Sequence, residues 1–169
     1  MSAPLEVELD FPSEDALRGF AEEVGERLGG GEVLALSGPL GAGKTVFAQS
    51  LARGAGVPAA TPVTSPTFVL HRRYAGRIAI EHLDAYRLRS ARDLEALGIG
   101  ELIEGGGATV IEWADRVAEI LPAHTVWIEL DVTGPCSRRL RARIPDGDRP
   151  PALARLRALC VRHGACPAP

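Results

Sequence analysis

Apolar and acidic positions alternate from Leu5 to Leu9, the pattern of an edge or half-exposed strand. After Pro12-Ser13 the spacing changes. Leu17, Phe20, Val24 and Leu28 recur on one helical face, with Ser13 as N-cap and Gly29-Gly30-Gly31 as the stop. Val33-Leu34-Ala35-Leu36 is apolar throughout, the mark of a strand buried on both faces, and leads through a glycine-rich loop into a helix from Thr45 to Arg53. Further β-type runs are predicted at Thr67 to Leu70, Arg77 to Leu83, Thr109 to Trp113, Val126 to Val132 and Arg138 to Ile144, with helices at Arg92 to Leu97 and Asp115 to Leu121. Helices alternate with strands early and strands dominate late, which predicts a layered α/β domain with a mixed, mostly parallel β-sheet. A last helix, Pro151 to His163, starts with Pro151 at its first position, carries Arg155, Arg157 and Arg162, and ends in a fraying tail. Residues 1–150 then form the main domain, and 151–169 a basic helix and tail packed on it or extending from it.

Composition narrows the function. A chain of 169 residues can bury one core, and 46% hydrophobic with 24% charged residues is a globular balance that excludes both a disordered chain and a disulfide-stapled miniprotein. With 19 Lys+Arg against 22 Asp+Glu, net charge −3, no global positive field holds a polyanion, so nucleic acid is expected to be reached through a partner. Cys136, Cys160 and Cys166 are odd in number and lack C-x-x-C spacing, which predicts reduced thiols. The acidic N-terminus has no apolar leader core and no run of apolar residues reaches membrane length, so a cytoplasmic chain with no membrane role is expected.

The strongest chemical signal is Gly38-Pro39-Leu40-Gly41-Ala42-Gly43-Lys44-Thr45, which satisfies G-x-x-x-x-G-K-[ST] between a buried strand and a helix. Backbone N–H groups of such a loop form an anion nest, and the helix adds its positive end. Lys44 brings a charge to the β- and γ-phosphates of a nucleotide, and Thr45 a hydroxyl to Mg²⁺. A dinucleotide fingerprint is excluded, because Val46 stands where G-x-G-x-x-G needs its third glycine. A phosphate loop also needs an acid at the end of a neighbouring strand. Asp84 and Glu112 both qualify, one as metal ligand and the other to orient water. Thr67, with Ser65 second, is the candidate for a switch hydroxyl that senses the γ-phosphate; the same residues also read as a Ser-Pro turn entering a strand. Trp113 reads as core, and His82 as a structural or partner-facing residue.

Taken together, the phosphate loop, Ser65-Pro66-Thr67-Phe68, His82-Leu83-Asp84-Ala85-Tyr86-Arg87-Leu88, Leu94-Glu95-Ala96-Leu97-Gly98 and Ile111-Glu112-Trp113 occur in an order and spacing that resembles the TsaE (YjeE) family. These are small bacterial P-loop ATPases required to make threonylcarbamoyladenosine in tRNA. The resemblance runs from about residue 13 to 140. It implies a three-layer P-loop domain and weak MgATP hydrolysis within a complex with TsaD and TsaB, in which TsaD catalyses the transfer and tRNA is met through the complex. It further implies nucleotide contacts from Gly38, Gly41, Ala42, Gly43, Lys44, Thr45 and Val46. Glu112 becomes a metal ligand, Asp84 the Walker B acid and Thr67 the switch threonine. Ser13 stands where the family has Thr near the adenine, and Arg138 in the late Gly-x-x-x-Arg reaches the nucleotide. Three positions depart from the family pattern: Ala114 replaces a Pro, Ala85 a Leu, and Val46 a second Thr. Two other readings of a phosphate loop are a small-molecule kinase, with Arg87, Arg89 and Arg92 as a lid, and a nucleotide-gated binding module whose hydrolysis is incidental.

Overall fold

The computed structural model describes residues 3–147 and 152–164. The chain runs through β1 (Leu5–Phe11), α1 (Glu14–Arg27), β2 (Val33–Ser37), α2 (Lys44–Gly54), β3 (His71–Tyr74) and β4 (Ile80–Asp84). It continues through α3 (Ala91–Glu95), α4 (Ile99–Glu104), β5 (Ala108–Glu112), a 3-10 helix (Ala114–Ile120), β6 (Val126–Val132), β7 (Arg138–Ile144) and α5 (Ala152–Arg162). All seven strands share one sheet in the order β1-β7-β6-β2-β5-β4-β3. Its centre, β6-β2-β5-β4, is parallel, and antiparallel pairs close both sides.

The period of two along β2 explains the layering. Leu34 and Leu36 join the core under α1, α2 and α5, whereas Val33 and Ala35 join the core under α3, α4 and the 3-10 helix. The result is a three-layer α/β domain. Phe47, Leu17 and Leu51 on the first side are fully buried, each contributing roughly 1.5–3 kcal/mol of hydrophobic stabilisation. There α1 and α2 meet backbone to backbone: a Cβ on Gly54 would lie 1.9 Å from the Glu22 carbonyl oxygen. Ser13 caps α1, its hydroxyl accepting from the Ala16 amide at 3.2 Å. Leu153, Leu156, Leu159 and Cys160 of α5 enter the same core.

Three expectations change. Thr67 to Leu70 is a turn, not a strand: the Pro66 carbonyl accepts from the Val69 and Leu70 amides, Phe68 is 82% exposed, and Leu70 sits at φ 65°. The strand begins at His71. The predicted strand from Arg77 begins at Ile80, because the Arg77 guanidinium instead donates to the Gly25, Glu26 and Leu28 carbonyls at the end of α1. The helix predicted at Asp115 to Leu121 is a 3-10 helix over Ala114–Ile120, broken at Val117, and α4 was not predicted. Pro151, the domain boundary at 150/151, Cys166 and the tail beyond Gly164 lie outside the described residues. Among the described residues no helix is long and apolar enough to cross a membrane.

Candidate functional site

A cleft of about 460 Å³ opens at the carboxyl ends of β2, β4 and β5. The chain leaves β2 through Gly38, at φ 131°, where a Cβ would lie 2.1 Å from the Leu130 carbonyl oxygen of β6; only glycine passes this point. Gly41 and Gly43 continue the loop at φ 80° and 105°, and α2 starts at Lys44 with no side-chain cap. Its first amides therefore have no partner within the helix and carry the positive end of the helix dipole. Lys44 is 5% exposed. Its ammonium donates to the Gly38 and Pro39 carbonyls at 2.6 and 2.9 Å and stands 3.7 Å over the Trp113 ring. Burial lowers its pKa, and Glu112, Asp115 and Asp84 oppose the shift.

The parallel register of β4 and β5 sets Asp84 beside Glu112 on the face that α2 covers. Glu112 Oε2 accepts from Thr45 Oγ1 at 2.8 Å, and Oε1 lies 2.8 Å from His82 Nε2. Asp84 Oδ2 accepts from the Ser65 and Thr67 hydroxyls, each at 2.6 Å, and Oδ1 from the Tyr86 amide at 2.8 Å. Both carboxylates are 2% exposed, and among the described residues neither has an Arg or Lys within ion-pair distance. Two buried carboxylates held by hydroxyls, an amide and an imidazole remain short of positive charge. Their oxygens, with Thr45 Oγ1, suit a hard cation. No cluster of three or more His, Cys, Asp or Glu is found among the described residues, but Mg²⁺ needs none, since it is held by one or two carboxylates with phosphate oxygens and water.

Gly41, Gly43, Lys44, Thr45, Val46, Thr67, Asp84, Glu112 and Arg138 all line the cleft. Ala42 is buried, and Gly38 supplies a carbonyl to Lys44. Ser13 is drawn into the α1 cap, and Glu14 and Leu17 of that helix form the adjoining wall. The Arg138 guanidinium donates to the Gly134 and Ser137 carbonyls and, at 3.3 Å, to the Gly41 carbonyl, tying the β6–β7 turn to the phosphate loop.

Sequence reasoning undervalued the aromatic wall. Trp113, at φ 57°, and Tyr86 line the cleft with ring centroids 5.0 Å apart, and Arg116 lies 5.4 Å over the Tyr86 ring. The available signal was position: each aromatic follows an acid at a strand end by one or two residues. The contact of His82 with Glu112 had no such signal.

Residues 11–140 match the family model described as "Threonylcarbamoyl adenosine biosynthesis protein TsaE". The tRNA threonylcarbamoyladenosine biosynthesis protein TsaE of Treponema pallidum is 44% identical over 117 residues, covering 69% of this chain and 85% of the relative. The protein of that name from Mycobacterium leprae is 40% identical over 121 residues, 66% of this chain and 74% of the relative. The crystal structure of YdiB from Bacillus subtilis superposes with a TM-score of 0.76 at 25% identity, covering 97% of this chain and 99% of the other. The matched span contains the glycine-rich loop, both buried carboxylates and the Trp113 wall, and by the family model and these relatives the chain belongs to the TsaE family of threonylcarbamoyladenosine biosynthesis proteins.

Proposed function

We propose that the chain binds ATP with Mg²⁺ in this cleft, hydrolyses it slowly, and uses the cycle to support threonylcarbamoyladenosine formation on tRNA in a cytoplasmic complex with TsaD and TsaB. TsaD carries out the transfer, and tRNA is met through the complex. The observation that carries the reading is the contact of Thr45 Oγ1 with Glu112 Oε2 at 2.8 Å, which joins the phosphate loop to an acid from a neighbouring strand.

Each residue then has a task. The amides from Gly41 to Val46 and the Lys44 ammonium bind the β- and γ-phosphates, with Lys44 exchanging the loop carbonyls for phosphate oxygens. Thr45 and Glu112 hold the metal, and Asp84 holds a water ligand or orients the attacking water. Mg²⁺, when bound, would supply charge neutralisation on the β- and γ-phosphates. Thr67 and Ser65, already on Asp84, couple their turn to the γ-phosphate end. Ser13, whose hydroxyl still has a hydrogen to donate, and Arg138 serve the base and sugar end. Slow turnover fits three of the arginines: Arg138 contacts backbone carbonyls, Arg73 pairs with Glu81, and Arg87 stacks on Phe68, so these three are engaged away from the transferred phosphate.

Reconstitution tests the reading. Multiple-turnover tRNA modification by TsaD and TsaB is expected to require both this chain and ATP. Full modification without the chain contradicts the proposal. A Glu112→Gln variant that binds ATP, fails to hydrolyse it and still supports full modification would favour a nucleotide-gated binding module, and phosphate found on a metabolite would favour a kinase.

A further inference from the structure

His82 is 1% exposed and occupies the middle of β4 facing α2, a place where an apolar residue would pack without cost. In the parallel register it lies opposite Val110, which puts it diagonal to Glu112 on the same face of the sheet. Its Nε2 is 2.8 Å from Glu112 Oε1, while its Nδ1 is buried and has no hydrogen-bond partner among the described residues. Facing a carboxylate oxygen, Nε2 is the donor of this contact, and Nδ1 is left without a partner among the described residues. The ring is held from the other side by Tyr74, 6.2 Å between centroids, whose own hydroxyl is fixed by the Thr64 backbone.

We infer that His82 is a positioning residue for metal binding: by occupying Oε1 it fixes the Glu112 carboxylate so that Oε2 alone faces Thr45 and the cation. A free carboxylate can rotate and offer either oxygen, or both at once, and the ordering cost of choosing one is then met at every binding event. With Oε1 held, that cost is met once, in folding. The inference rests on the reading of the cleft as a MgATP site. It places no proton transfer on His82 and makes it no metal ligand.

The test compares the unmodified chain with His82→Leu, which fills the space without a donor, and His82→Gln, whose side-chain amide can reach Oε1. Binding of a fluorescent ATP analogue is titrated in EDTA and then against Mg²⁺, with hydrolysis followed in parallel. Binding in EDTA is expected to agree within about twofold across the three proteins. The Mg²⁺ concentration for half-maximal effect is expected to rise about 10- to 100-fold in His82→Leu and to return to within about threefold in His82→Gln. If the leucine variant does not fold, His82→Asn, polar but too short to reach Oε1, is expected to show the same Mg²⁺ shift. Wild-type Mg²⁺ dependence in a folded leucine or asparagine variant overturns the inference. An unmodified chain that binds no nucleotide overturns the reading of the cleft instead.

Discussion

Two groups of acids in this molecule share a chemistry and differ in everything around it. On β1, Glu8 and Asp10 face Arg139 and Arg141 of β7, and Asp131 of β6 completes the set, with contacts such as Arg139–Asp10 at 2.8 Å and Arg141–Asp131 at 2.7 Å. This ladder is exposed and each of its acids already has a guanidinium partner, so it favours one strand register and adds little stability. At the other place, Asp84 and Glu112 are buried and their partners are hydroxyls, an amide and an imidazole. A carboxylate already paired with a guanidinium has no use for another cation. A buried carboxylate with no Arg or Lys within ion-pair distance among the described residues is open to one. On the proposed reading, the difference in partner, more than the count of acids, separates a structural surface from a metal site.

The largest expected effect is at the buried pair. Glu112→Gln or Asp84→Asn should lower ATP hydrolysis by about 100- to 1000-fold while nucleotide affinity changes less than about tenfold, measured by phosphate release and equilibrium binding. Undiminished turnover in both variants would erase the distinction between cluster and ladder. Lys44→Ala removes the charge that the proposed reading sets on phosphate and should weaken nucleotide binding by about 10- to 100-fold or more, read by equilibrium dialysis.

Away from the chemistry, Gly54→Ala forces a methyl into the Glu22 carbonyl and should cost about 1–3 kcal/mol in a denaturant titration. The Cys160 thiol is pushed up to about 11 by burial. The folded chain therefore holds this proton more tightly than the unfolded one, whose ordinary value is 9.0, so its contribution is complete below pH 9 and lost as pH rises through about 11. Alkylation followed by peptide mapping should mark exposed Cys136 long before Cys160. The smallest effect belongs to the ladder. Arg139 holds the Asp10 carboxyl below its usual range, so this contribution is present above that range and fades as pH falls through the lower folded value. Arg139→Ala should produce a slight change in melting temperature that high salt removes and that leaves hydrolysis untouched.

The phosphate loop was legible because all its parts are contiguous: a buried strand, three glycines, Lys44 and Thr45 within one run. β6 and β7 were legible to the residue because one face of each is buried and the other is wet. The turn at Thr67 to Leu70 was not, since four residues of strand-forming composition cannot reveal that the Pro66 carbonyl captures two of their amides. Ser13 was read correctly as a cap, and it opens the helix whose Glu14 and Leu17 line the cleft. His82 and Glu112 stand thirty residues apart, and their contact depends on the parallel register of β4 with β5, which no local pattern encodes.

The most direct test is a two-dimensional amide NMR spectrum of the full chain, recorded while a non-hydrolysable ATP analogue is added with Mg²⁺. The expected result is saturable shifts concentrated at Gly41, Gly43, Lys44 and Thr45 and at the Trp113 indole, with Glu8, Asp10, Arg139 and Arg141 unmoved. An unchanged spectrum, or shifts confined to the β1–β7 ladder, would contradict the assignment of the buried acids to a MgATP site.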